Sequence, residues 1–287
     1  MTKTTKIWLI IATTLLLTGC IIFGGVMTVY KWDFSKLSTN KYETNKYDIA
    51  DNFKNISINV KTADIVFVAS EKAKTEVVCY EQDNANHEVS VDNDTLTIKL
   101  VDERKWYEYI GINFRTPKIT VYLPQGEYGN LNIDSSTGDI DIKNLSAENI
   151  NLTVTTGEIE AKSITCNGDF KTTVSTGEVE LKDVSCKNLF SNGNTGHISL
   201  KDVIAEEKLT IERSTGDIKF ELCDANEIFV KTDTGDVKGS LLSDKVFITQ
   251  TDTGSVNVPK TTTGGKCEIT TDTGDIKITV KHSGEAI

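Results

Sequence analysis

The sequence predicts an all-β chain. It reads as a β-solenoid of the parallel β-helix kind, with rungs of 19 to 20 residues, a β-rich N-terminal cap and one transmembrane helix ahead of both. Three observations carry this reading. The dipeptide Thr-Gly recurs with its glycine at Gly138, Gly157, Gly177, Gly196, Gly216, Gly235, Gly254 and Gly274, at spacings of 19 or 20 residues. Two residues after each glycine stands a β-branched residue: Ile140, Ile159, Val179, Ile198, Ile218, Val237, Val256 and Ile276. From Ile7 to Tyr30 the chain carries no charge.

The repeat fixes the architecture. Four residues after the glycine a mostly apolar column runs through Ile142, Ala161, Leu181, Leu200, Phe220, Gly239, Val258 and Ile278, and the position between the two columns is polar. That alternation marks a strand with one buried face. A further column precedes the glycine by seven (Leu131, Ile150, Phe170, Leu189, Leu209, Ile228, Phe247, Cys267). A unit this short cannot cover its own apolar face, so rungs must stack and pair strand to strand. The structural corner is assigned to the eight glycines, because a turn with positive φ accepts glycine at little cost. The extra residue of the longer copies falls around Asn167-Gly168, Glu206-Glu207 and Gly264-Gly265, where a loop tolerates it.

The organisation along the chain follows. Residues 1–6 are a cytoplasmic N-terminus, 7–30 a transmembrane helix, 31–50 a stalk, 51–130 a β-rich cap and 131–287 the Thr-Gly solenoid. The apolar run suits a hydrocarbon layer of about 30 Å, Tyr30 and Trp32 suit its interface, and Lys3 and Lys6 ahead of it place the body outside the cell membrane. Leu17-Thr18-Gly19-Cys20 also fits a lipoprotein signal, which makes Cys20 a lipidation candidate. The apolar stretch continues past Cys20, which favours the uncleaved helix. Within 51–130, Thr62-Ala63-Asp64-Ile65 echoes the Thr-Gly-Asp-Ile corner.

Charge and composition narrow the function. The net charge is -11, and the first 31 residues hold three lysines and no acid, so the body is more acidic still. Such a surface repels nucleic-acid phosphates, and no nucleic-acid partner is expected. The six cysteines form no Cys-x-x-Cys pair and the three histidines are dispersed, so no imidazole or thiolate metal site and no cofactor are expected. Cys166 and Cys186 fall at the same repeat position as Ala147, Ala205 and Ala225, and Cys223 falls in an apolar column as core filler.

Asp252-Thr253-Gly254-Ser255 matches an aspartic-protease signature, but those enzymes need two such loops facing across a cleft, whereas these recur along one edge. Asp233, Asp236, Asp252, Asp272 and Asp275 crowd the C-terminal corners and are the calcium candidates, set against a plain solvated acidic edge. The repeat region has five phenylalanines and no Trp or Tyr to stack sugars, which disfavours a carbohydrate-active solenoid.

Ile119-Thr120-Val121-Tyr122-Leu123-Pro124, then Ser135-Ser136-Thr137-Gly138-Asp139-Ile140 and its further copies behind a single apolar helix, resemble the putative adhesin family of bacterial surface proteins with β-strand repeats. The resemblance spans the chain and implies a β-solenoid on the cell envelope, with no catalytic residues. The expected function is a non-catalytic, membrane-anchored surface module for adhesion or envelope scaffolding, whose partners are the membrane and a surface ligand or envelope protein. A sensory or regulatory subunit of an envelope complex is the alternative.

Overall fold

The computed structural model describes residues 2–34, 41–106 and 115–281, and these fall into two units. The first comprises residues 1–42 and 103–115 and contains helix α1 (Lys3–Val29). Thr2 caps it, accepting from the Thr5 N–H at 3.3 Å. The hydroxyls of Thr13, Thr14, Thr18 and Thr28 each donate to the carbonyl four residues earlier, so polar side chains are satisfied within the helix. Lys31 and Trp32 have φ of 54° and 59° and end it, with the Trp32 N–H returning to the Met27 carbonyl at 2.8 Å. The helix is long and apolar enough to cross a membrane, with mean hydropathy 2.3 in its best window.

The second unit holds a continuous sheet to which the eighteen strands of the described residues belong. Its N-terminal strands are β1 (Tyr42–Ile49), β2 (Asn55–Thr62), β3 (Asp64–Ser70), β4 (Thr75–Gln82), β5 (Ala85–Asp92), β6 (Thr95–Asp102) and β7 (Lys118–Pro124). The repeats follow as β8 (Glu127–Thr137), β9 (Ile140–Thr156), β10 (Ile159–Thr176), β11 (Val179–Thr195), β12 (Ile198–Thr215) and β13 (Ile218–Thr234). β8 to β13 stack in parallel with the Thr-Gly corners aligned.

The inward columns are buried almost without exception, from Leu131 and Ile133 to Ile276 and Ile278, and form one core. All eight corner glycines have φ between 127° and 157°. Five of the rungs have a second bend that hydropathy did not reveal. Asn144, Ser163, Asp183, Asp202 and Leu222, six residues past the glycine, hold φ of 52° to 55°. Asn and Asp tolerate this region better than most residues. The length variation between copies sits at a bulge after Cys166, Cys186 and Ala205. Gly168 there is no free loop position, since a Cβ on it would stand 2.8 Å from the Glu148 carbonyl oxygen.

The rungs do not succeed one another in chain order at either end, contrary to simple sequential stacking. β2 and β3 form a rung whose corner, Thr62-Ala63-Asp64, lies under Gly138, with Ile58 opposite Ile133 and Ile65 opposite Ile140. β6 and β7 follow β2 and β3 in sequence but stack on their far side. Antiparallel pairing of β5 with β6 and of β4 with β7 ends the parallel stack, and β1 adds to β4. Residues 42–49, expected in a stalk, are therefore a strand of the sheet; residues 35–40 of that stalk lie outside the described residues.

At the other end come β14 (Val237–Leu241), β15 (Lys245–Thr253), β16 (Val256–Asn257), β17 (Gly265–Thr273) and β18 (Ile276–Val280). β17 lies between β13 and β15, and β18 between β14 and β16, so the last repeat is inserted before its predecessor. The inserted rung turns Cys267, Ile269, Ile276 and Ile278 into the core, all buried. The displaced rung offers Phe247, Thr249, Thr251, Val256 and Val258, none fully buried. The more apolar rung takes the inner place, as burial favours.

The corner glycines are irreplaceable for a second reason besides φ. A Cβ on Gly216 would stand 2.1 Å from the carbonyl oxygen of Gly196 on the next rung. Gly216→Ala should therefore destabilise the folded chain by roughly 2 to 4 kcal/mol in a urea melt. Gly126, with nothing within 4 Å of a Cβ, serves as the control, and Gly126→Ala should change stability by less than about 0.5 kcal/mol. Similar losses in the two variants would refute the close-approach account.

Candidate functional site

The sharpest chemical feature of the repeats is the row of side chains directly after the corner glycines. Asp139 Oδ1 accepts the Glu158 N–H of the next rung at 2.8 Å. Asp64 does the same for Asp139 at 3.2 Å, Asp217 for Asp236 at 2.9 Å and Asp236 for Asp275 at 2.7 Å. Asp275 receives both the N–H and the hydroxyl of Ser255 at 2.9 Å. His197 continues the row by accepting the Asp217 N–H on Nδ1 at 3.0 Å. An aspartate is the right length for this, because its oxygen reaches one rung spacing from the corner. The row thus ties rungs together through N–H groups that the ladder leaves over.

The charges along this row differ in environment. Lys238 and the Asp275 N–H hold the Asp236 carboxyl below its ordinary value. The Ser255 N–H and hydroxyl do the same for Asp275. Burial raises Glu158, with Asp139 and Glu178 adding repulsion. Of the calcium candidates, Asp236 and Asp275 are engaged in the row, while Asp233, Asp272 and Asp252 stack in adjacent register and are exposed.

The outer faces carry other columns. Lys143, Lys162, Lys182 and Lys201 share one register position, followed by Glu221, which pairs with Lys201. On another face Lys208 and Lys266 lie over the Phe229 ring at 4.6 and 4.9 Å. A cavity of about 320 Å³ opens where β3, β7 and β8 meet the second bends of β9 and β10, lined by Phe67, Leu123, Tyr128 and Asn144 among others.

The cysteines divide by place. Cys20 is exposed on α1; Cys166 and Cys186 are register partners and free thiols in the core; Cys223 is fully buried. Sequence spacing separated the metal-ligating residue types, but the cap brings Cys79, Glu81 and His87 together, their donor atoms within 4.8 Å of one another. This is the one such cluster among the described residues.

A family model described as Toastrack DUF4097 matches residues 53–206 and again 167–287. Among solved structures, the chain is similar to a putative adhesin from Bacteroides fragilis at 16% identity and a TM-score of 0.45, covering 83% of this chain and 97% of that one. It is similar to a putative lipid binding protein from Parabacteroides distasonis at 20% identity and a TM-score of 0.45, covering 86% and 96%. A putative cell adhesion protein from Clostridium sporogenes is 11% identical with a TM-score of 0.29, covering 84% and 100%. No curated protein matches the chain.

The aspartate row yields a test. Asp217→Ala removes the acceptor for the Asp236 N–H and should cost about 1 kcal/mol, whereas Asp217→Asn keeps an oxygen there and should cost less. Carboxyls held low in the folded state stabilise it above their unfolded value, near 3.8, and lose that effect as pH falls through the folded value. The contribution of Asp236 and Asp275 should thus be constant from pH 7 to about 5 and fade below about pH 4. Glu158 has the opposite sign, so Glu158→Gln should stabilise at pH 7. Melting curves at three pH values check both signs; equal effects of Asp217→Ala and Asp217→Asn would remove the inter-rung role.

Proposed function

The chain belongs to the Toastrack DUF4097 family, and we propose that it is a non-catalytic cell-surface solenoid, held in the membrane by α1, that presents repeated columns to an envelope or surface partner. The observation that carries this reading is the pairing of an apolar helix at one end of the chain with a stack whose outer faces repeat the same side chains rung after rung. Repetition suits binding along a length. One lysine column beside one acidic edge gives a partner a fixed charge pattern, and the Lys-covered Phe229 adds an aromatic face. Adhesion and envelope scaffolding both use such a surface.

An N-terminus in the cytoplasm and a body outside follow from Lys3 and Lys6 preceding the uncharged run. The exposed apolar side chains of α1, among them Leu15, Leu16 and Ile21, are what a lipid-facing helix presents. In this reading the Glu and Asp carboxylates serve solubility and rung pairing, and Asp233, Asp252 and Asp272 face water.

Two measurements test the proposal. Deleting residues 3–29 should release the chain from the membrane fraction, and Cys20→Ala should leave the full-length chain there, because the helix alone suffices to anchor it. Fatty-acid labelling that depends on Cys20, with loss of attachment in Cys20→Ala, would replace the helix anchor with a lipid. External protease should degrade the body on intact cells; full protection would place it on the cytoplasmic side and end the surface reading.

A further inference from the structure

The cap holds a buried polar cluster that stacking does not require. β4 and β5 pair at Gln82 and Ala85 and then part, because β4 runs along β7 and β5 along β6. Near this parting Glu81 and His87 face each other, and Cys79 lies two residues before Glu81 on the same buried face of β4. Cys79 and Glu81 are fully buried and His87 is 2% exposed.

The surroundings hold the donors in place. The Asn45 side-chain amide donates to Glu81 Oε1 at 2.7 Å, and the His87 N–H donates to Glu81 Oε2 at 2.6 Å. His87 Nδ1 stands 2.5 Å from the same oxygen. The Tyr47 hydroxyl donates to the His87 carbonyl at 3.0 Å, closing the cluster from β1. The other ring nitrogen, Nε2, is buried and has no hydrogen-bond partner. A buried polar atom left in this way calls for a further partner.

We propose that Cys79, Glu81 and His87 bind one zinc-class divalent cation through thiolate, carboxylate and imidazole. Sulfur and imidazole nitrogen together select a borderline-soft metal of this kind, whereas calcium and magnesium need six or more oxygens. The charges balance in a buried site: one thiolate and one carboxylate neutralise a 2+ ion, and three protein ligands leave the fourth tetrahedral position to a water. Zinc bonds of about 2.0 to 2.3 Å set tetrahedral ligands roughly 3.5 Å apart. Donors within 4.8 Å of one another reach that with about 1 Å of movement. The ion would tie β4 to β5 where their own pairing lapses.

The test uses the full chain purified in detergent, stripped with a chelator and offered zinc chloride, then passed over a desalting column. One zinc per chain should be retained, and cobalt(II) offered instead should give a thiolate-to-metal charge-transfer band. Cys79→Ser and His87→Gln should lose both signals, and Glu81→Gln should weaken zinc binding at least tenfold. Cys166→Ser, which removes another buried thiol, should keep both. Far-UV circular dichroism separates loss of the site from loss of the fold, and the cobalt band in the unmutated chain needs no variant at all. A stripped chain that retains no zinc and gives no cobalt band overturns the proposal. So does zinc held equally by folded Cys79→Ser and His87→Gln, which would assign the metal to the acidic edge. Calcium should be retained by none of these proteins.

Discussion

The stack depends on how closely the backbone of one rung approaches the next at the corner. A Cβ placed on any of the eight corner glycines would stand 1.9 to 2.2 Å from a carbonyl oxygen on a neighbouring rung. No side chain fits there, and φ at each lies in a region that L-residues rarely adopt. Once the corners approach this closely, the rest follows. Seven of the eight corner glycine N–H groups, all but that of Gly254 on the terminal rung, reach a threonine carbonyl of the neighbouring rung, and each β-branched residue two positions on falls over its counterpart. The carboxylate between them comes within reach of the next N–H. Ala63 holds the first corner on the cap side without positive φ, and beyond it the regular repeat stops.

This constraint explains why so much of the fold was legible. The glycine period, the β-branched column and the apolar columns are local consequences of one rung geometry, so they appear in every copy and average out exceptions such as Gly239. The second bend was not legible, because its residues (Asn144, Ser163, Asp183, Asp202 and Leu222) share a backbone conformation rather than a chemistry. Strand β1 was missed for another reason. Its buried face is made of Asn45, Tyr47 and Ile49, only partly covered, so hydropathy gave no period-two signal. The cap cluster was invisible to spacing, since Glu81 and His87 meet only because two antiparallel strands diverge into different partners.

Rung order was illegible on principle. A repeat specifies register, and register is the same whichever copy lies next, so periodicity cannot say that the rung of Gly274 intervenes between those of Gly235 and Gly254. Order is set by what distinguishes the copies. In the interior, the column three residues before the glycine runs Val174, Gly193, Arg213 and Thr232. Arg213 is 3% exposed, and its Nη1 donates to the Val174 carbonyl at 2.9 Å, across the rung of Gly193. A Cβ on Gly193 would lie 1.9 Å from that nitrogen. The missing side chain of one copy is thus the room for the long side chain of the next.

Thr172 and Ser191 form a second matched pair, one rung apart and fully inside, joined hydroxyl to hydroxyl at 2.8 Å. Ser191 faces Ile211 and Thr172 faces Leu152 on their other sides, so separating the two would leave each buried hydroxyl between apolar neighbours, a penalty of about 1 to 3 kcal/mol. Such pairs add little to stability, and burial of Arg213 lowers its pKa without supplying a carboxylate partner. Their effect is on choice. In a column where any apolar rung fits any other, a polar pair or a gap and its filler distinguish one succession from the alternatives. At the C-terminal end the buried Lys245 reaches past Gly265 of the inserted rung to Asp224 at 2.6 Å, and burial places Ile269 inside and Thr249 at the end.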